Sequence, residues 1–305
     1  MAFKNALKNL VAHFGVVWAL LLYIFLFAVL IAGLSLPFIM PIARAFGHAG
    51  VFAEVRGAFS ALFGEGGWQD FWGGLYNAYM EVIGVFESND TVVSLTMAFL
   101  IFVVIIAYRF FLGLYTVPLA TVLDGKLSCN ASYGLGGKFF STLSTSARFS
   151  AMKMLVTTAY DALIGLIVYG LGRLIGMNIV LPFVLILVLL VLLAFKYAAL
   201  ACWAPCTVNG DGVIKGFVHS LKIGFKHFGS FYSTYFVTSL LVMAIGMFIA
   251  VFTLGVGLII VVPFAAAYYA YIDITEFYNK TGRRYYIDGT VYNPPVAPEK
   301  PQKEI

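Results

Sequence analysis

The sequence predicts an all-α fold: a polytopic membrane bundle of six transmembrane helices in three parallel repeats, each an interfacial helix plus two spans. Three observations predict it. The chain has 305 residues, 62% hydrophobic and only 11% charged, whereas a soluble domain carries about a quarter charged residues. Several apolar runs reach the ~20 residues that cross a bilayer as a helix, without the strict alternation of an outer-membrane barrel. The chain also resembles itself. Displaced by 87 positions, the segment from Ala107 meets Ala194 without a gap, placing Arg109 on Lys196, Pro118 on Pro205, Asp124 on Asp211 and Gly125 on Gly212. Leu7-Lys8 followed by His13-Phe14-Gly15 matches Leu221-Lys222 followed by His227-Phe228-Gly229, and Arg148-Phe149-Ser150 is a looser copy. Periodic self-similarity reports a repeated structural unit.

Residues 2–15 place Phe3, Leu7, Leu10, Val11 and Phe14 on one helical face, with Lys4, Lys8 and His13 elsewhere. Such a helix lies in the membrane interface. The first span follows, about Gly15–Ile42, too long for a signal-peptide core. Pro37 and Pro41 are expected to kink or end it. Residues 43–90 form an extracytoplasmic helical insertion, with Glu54, Glu65, Asp70, Glu81, Glu87 and Asp90 against Arg44 and Arg56. Val51, Phe52, Val55, Phe59 and Leu62 make one stripe, and Trp68, Phe71, Trp72, Leu75, Tyr79, Val82 and Phe86 a second, broken at 64–67. Two short helices are expected, with Trp68 and Trp72 as anchors at headgroup level.

The second span is about Thr91–Pro118, followed by a basic loop with Lys126, Lys138 and Arg148. The third, about Ala151–Gly172, holds Asp161 near its middle. The fourth, about Ile179–Pro205, has Ala194, Ala198, Cys202 and Cys206 at four-residue spacing, a small-residue stripe that lets a neighbouring helix approach. The basic joint returns at 209–229 with Lys215, Lys222 and Lys226, and spans at about Ser230–Phe252 and Leu258–Ile274 complete the membrane domain, residues 1–278. Residues 279–305, basic and then rich in proline, are expected to be a disordered cytoplasmic tail. The basic loops and termini face the cytoplasm by the positive-inside rule, and six spans satisfy every loop.

Ionisable groups inside spans are costly and are the default site candidates. Here they are Arg109, Asp161 and Lys196, with Asp273 and Glu276 near the inner end of the last span. Arg109 and Lys196 each precede a proline by nine residues, roughly 13 Å, and Asp161 is roughly 15 Å into its span. The three therefore fall at one level. One reading is a cluster with net positive charge that holds an anionic headgroup or small anion. The other is an ion pair fixing helix register, with the remaining basic side chain snorkelling. His13 and His227 recur at equivalent places and read as packing or interfacial residues. His48 and His219 have no Cys, His or carboxylate at ligand spacing, and no metal motif, Walker loop, dinucleotide fingerprint or nucleophile elbow occurs. Cys202 and Cys206 read as core residues and Cys129 stands alone. No catalytic, cofactor or metal residue is assigned, and nothing matches a nucleic-acid footprint.

Trp203-Ala204-Pro205, the basic helix with Ser220-Leu221-Lys222 and the late Gly282-Arg283-Arg284-Tyr285-Tyr286-Ile287-Asp288 resemble a group of uncharacterised six-span membrane proteins of Gram-positive anaerobes. More distantly, the joint resembles the membrane domain attached to some glycerophosphodiester phosphodiesterases. The resemblance covers about residues 100–290. The phosphodiesterase catalytic domain is absent, so no hydrolase activity follows; the resemblance implies a bacterial plasma (inner) membrane location and an unassigned activity. The first functional expectation is a non-enzymatic scaffold or accessory subunit engaging the lipid bilayer, a protein partner or anionic lipid. The alternative is a small permease or lipid-handling transporter with an anion site at the Arg109/Asp161/Lys196 level. An intramembrane enzyme has no positive support.

Overall fold

The computed structural model describes residues 2–294 apart from 65–66, 88–90, 132, 176–180, 254 and 288. Glu65, Asp90, the 176–180 turn and the proline-rich tail beyond 294 lie outside the described residues. In order the elements are α1 (Ala2–Ala12), α2 (Gly15–His48), α3 (Val51–Phe63), α4 (Gly67–Glu87), α5 (Thr91–Phe102), a π-helical turn (Val103–Tyr108), α6 (Arg109–Leu114) and α7 (Thr116–Cys129). Then come α8 (Leu135–Ser141), α9 (Leu143–Ile175), α10 (Leu181–Leu200), α11 (Trp203–Cys206), a second π-helical segment (Thr207–Asp211), α12 (Val213–Lys226), α13 (Phe228–Phe252), α14 (Leu258–Thr281), β1 (Tyr285–Ile287) and β2 (Thr290–Tyr292). Among the described residues, six helical stretches are long and apolar enough to cross a membrane: Gly15–His48, Val93–Cys129, Leu143–Ile175, Phe183–Asp211, Phe228–Phe252 and Leu258–Thr281. The all-α bundle expected from composition is therefore observed.

The chain divides into two compact units, Met1–Phe25 with Phe110–Ile305, and Leu26–Arg109. In the first, α1, α7, α10, α13 and α14 converge on a core that includes Leu10, Leu119, Leu123, Cys202, Phe231, Tyr235, Tyr271 and Tyr285. The amphipathic α1 buries Ala6 and Leu10 while Leu7 and Val11 stay exposed. Asn5 Nδ2 donates to Tyr285 Oη at 2.9 Å and Asn9 Nδ2 to the Tyr286 carbonyl at 3.3 Å. The first helix and the hairpin after the last one thus lie side by side.

The basic joint at 209–229 is built on α12, whose three faces follow the helical period. Gly216, Ser220 and Gly224 are buried, and a Cβ on Gly224 would meet the Ala198 carbonyl at 2.9 Å. Ile214, Val218 and Phe225 are exposed apolar residues, and Lys215, His219, Lys222 and Lys226 form an exposed polar stripe. A helix with small residues toward protein, apolar residues on a second face and lysines on a third is suited to the membrane interface. Its handover to α13 has the same backbone pattern as the handover from α1 to α2. The N–H of His13 donates to the Asn9 carbonyl at 3.0 Å and the His13 carbonyl accepts from Val16 at 3.1 Å. The N–H of His227 donates to Ile223 at 3.1 Å and its carbonyl accepts from Ser230 at 3.1 Å. The pair Pro118 and Pro205 also has a counterpart, because the helix breaks at Tyr115 and at Ala201–Cys202, just before each proline.

In the second unit α3 and α4 form a helical hairpin, as the two stripes predict. Gly74 lies so close to α3 that an added Cβ would meet the Ala58 Cβ at 2.8 Å. Phe59, Trp68 and Trp72 pack edge-on around Phe71, at 5.6, 5.8 and 5.1 Å between ring centroids.

Three expectations are corrected. Pro37 and Pro41 do not end the helix: both lie inside α2, which continues to His48. Their i, i+4 spacing confines the lost donors to one strip, and an apolar helix of 34 residues tolerates this. Arg148-Phe149-Ser150 does not end an interfacial helix but lies within α9, with the break at Thr142. The described residues between 279 and 294 are not a disordered tail: α14 runs to Thr281 and β1 pairs antiparallel with β2. Alternation of Tyr285 and Ile287 buries both, and Gly289 takes the left-handed turn at φ +77° that a side chain would strain.

Candidate intramembrane polar site

α9 presents Lys153, Thr157 and Asp161 at four-residue steps, on one helical face. Asp161 Oδ1 accepts from Lys196 Nζ of α10 at 2.8 Å, with the side chains only 25% and 12% exposed. Lys153 Nζ reaches Thr116 Oγ1 of α7 at 3.4 Å and lies within electrostatic range of Asp273 on α14 and of Lys196. Asp273 in turn accepts a hydrogen bond from Tyr235 Oη of α13. Tyr197 of α10 stacks on Tyr235 and Tyr269 at 6.0 and 4.8 Å and feels the charges of Asp161 and Asp273. Lys153 and Asp273 are surrounded by protein, yet each keeps part of its surface accessible.

A ladder of polar contacts runs down the α13–α14 seam from this set. Ser239 Oγ meets Tyr269 Oη at 2.8 Å, Thr234 Oγ1 donates to the buried Glu276 Oε1 at 3.0 Å, and Lys280 Nζ donates to Ser230 Oγ at 2.8 Å. Antiparallel neighbours bring residues one turn apart on α13 against residues one turn apart on α14, so a run of hydroxyls meets a run of ionisable groups. The arrangement can hold charges of both signs and pass a hydrogen bond along its length.

Of the residues singled out in the sequence, Asp161 and Lys196 pair directly. Arg109 begins α6 and belongs to the second unit. Trp68 and Trp72 lie on α4 with 62% and 37% of their surface exposed. His13 and His227 sit at the two helix handovers. Burial, with Lys280 and Lys226 nearby, pushes the His227 imidazole below its ordinary value. Burial pushes the Tyr285 phenol up to about 12, against hydrogen bonds from Asn5 and to Asn279.

Sequence reasoning missed Lys153 because the third span was begun at Ala151, at the membrane edge. The helix starts at Leu143, so Lys153 is roughly 15 Å along it. The i, i+8 spacing from Asp161 was the available signal. It also missed the grouping of Cys206, Asp211 and His219, whose donor atoms all lie within 4.8 Å of one another. His219 Nδ1 and Asp211 Oδ2 are 2.6 Å apart, which corrects the expectation that this histidine lacks a carboxylate neighbour. The turn at Asn209 and Gly210 folds α12 back, and linear spacing does not reveal that fold.

Next to these, Asp124 accepts from Tyr278 Oη at 2.8 Å and from Asn209 Nδ2 at 3.3 Å, and Arg283 donates to Asn209 Oδ1. This network ties the ends of α7, the second π-helical segment and α14 together. Comparison with known proteins returns no match to a family model, to a curated protein or to a solved structure. Fold and composition define the class as a multi-pass membrane protein.

Proposed function

We propose that this chain is a small permease or lipid-handling protein of a bacterial plasma membrane, with both termini cytoplasmic. Its site takes the polar head of an amphiphile carrying both signs of charge. The observation that supports it is the charge-balanced set Lys153, Asp161, Lys196 and Asp273 among the spans, with Tyr235 on Asp273. Desolvating such groups is costly, and apolar residues of similar volume hold helices together as well or better. Charges kept inside spans therefore point to something they bind or relay. Lysines suit a phosphate and aspartates an ammonium, so a phospho-zwitterion fits better than a bare anion. The recurring joint at His13 and His227, and the breaks before Pro118 and Pro205, favour a repeated interfacial helix plus two spans.

The test is a thermal-unfolding titration of purified protein with glycerophosphoethanolamine. A saturable rise in Tm, lost in Lys153→Met and in Asp273→Asn, is expected. No rise in the wild type, or an equal rise in both variants, contradicts the reading. A second reading, a scaffold or accessory subunit, is favoured by the exposed Phe52, Phe59, Trp68 and Tyr79 of the α3–α4 hairpin. Under it, Trp68→Ser and Phe59→Ser alter association, and the headgroup titration is flat.

A further inference from the structure

We infer that Cys206, Asp211 and His219 form a binding site for a borderline-soft divalent metal of the zinc class, which clips the end of α11 to α12. The reading is independent of the function proposed for the bundle interior. Each residue offers one donor, a thiol sulfur, a carboxylate oxygen and an imidazole nitrogen, and these lie within 4.8 Å of one another. Tetrahedral zinc with ligand bonds of about 2.0–2.3 Å separates its donors by roughly 3.3–3.6 Å, so the observed set needs only side-chain adjustment. The mixed S, N, O donors select zinc or cobalt over magnesium or calcium, which prefer oxygen alone. A thiolate and a carboxylate neutralise the dication, and the fourth position is left to water.

The three residues come from three successive pieces of chain. Cys206 ends α11 and is fully buried, Asp211 closes the π-helical segment, and His219 lies in the second turn of α12. Between them run Gly210 at φ +100° and Gly212 at φ +70°, conformations that hold the return of α12 without side-chain strain. His219 Nδ1 and Asp211 Oδ2 already face each other at 2.6 Å, and opening that contact to roughly 3.3 Å admits an ion between them. Cys206 needs no such fold to serve as a core residue, but a small apolar residue would serve the core as well. What marks it is that the carboxylate and imidazole, half-exposed themselves, are held over its sulfur.

The test is cobalt binding to the purified full chain carrying Cys129→Ser, which removes the exposed thiol. We expect one Co2+ per chain with a thiolate-to-cobalt charge-transfer band, displaced by Zn2+. Cys202→Ser keeps the band, Cys206→Ser abolishes it, and Asp211→Asn and His219→Gln weaken binding by roughly 10- to 100-fold or more. Should Cys206→Ser fail to fold, His219→Gln decides, because its side chain is half-exposed and its loss spares the core. Substoichiometric cobalt, absence of the band, or unchanged affinity in both Asp211→Asn and His219→Gln overturns the site.

Discussion

Removing Lys196 alone leaves the Asp161 carboxylate inside the bundle without the ammonium 2.8 Å away. Loss of one partner of a buried pair costs about 3–5 kcal/mol, and the 25% exposure of Asp161 lowers that to about 1–3 kcal/mol. Lys196→Met and Asp161→Leu should each destabilise by that amount, and the double variant by less than the sum, with a coupling of about 0.5–3 kcal/mol. A double-mutant cycle on unfolding in detergent measures it, and strictly additive losses would contradict the pairing. His227 gives a pH prediction. Its folded value lies below its unfolded value of about 6.5, so the folded state resists the proton. Stability is full above the unfolded value and falls as pH drops through the folded one. Tm should decline more between about pH 8 and about pH 5 in the wild type than in His227→Gln. A residue such as Asp161 was legible because a carboxylate in an apolar run stands out by itself. Its neighbour Lys153 was not, because a lysine near a span's end reads as a snorkelling anchor until the helix is known to extend past it.

At the scale of elements, the packing of α12 on α10 rests on an absent side chain. A Cβ at Gly224 would strike backbone at 2.9 Å, and overpacking of this kind costs about 1–3 kcal/mol. Gly224→Val should lower Tm, whereas Gly165→Ala, with open space around it in α9, should gain about 0.5–1 kcal/mol from reduced backbone entropy. The spans and the α3–α4 hairpin were legible because runs of ~20 apolar residues and 3.6-residue stripes have few other physical solutions. The β-hairpin at 285–292 was not. A strand pair this short acquires its burial from α1, α7 and the end of α14, and α1 and α7 are distant in sequence, as the contact of Asn5 with Tyr285 demonstrates.

At the scale of the whole molecule, α1 meets the hairpin of β1 and β2 from far along the chain, and the basic joint α12 carries lysines suited to an anionic leaflet. With both termini cytoplasmic, as proposed, impermeant reagents should reach cysteines placed at Lys4 and Lys215 only when the cytoplasmic face of the membrane is exposed. A cysteine at Trp68 should react in intact cells. On the function proposed, the ionic set within the first unit is a site open to a polar ligand and not a sealed clamp. The most direct measurement installs Thr157→Cys, between Lys153 and Asp161 on the same face of α9, in a Cys129→Ser background and challenges the membrane-embedded protein with a small charged thiol reagent. The account predicts labelling above that of the same protein without the new cysteine, suppressed by glycerophosphoethanolamine. A folded protein whose Thr157→Cys thiol stays unlabelled would contradict it.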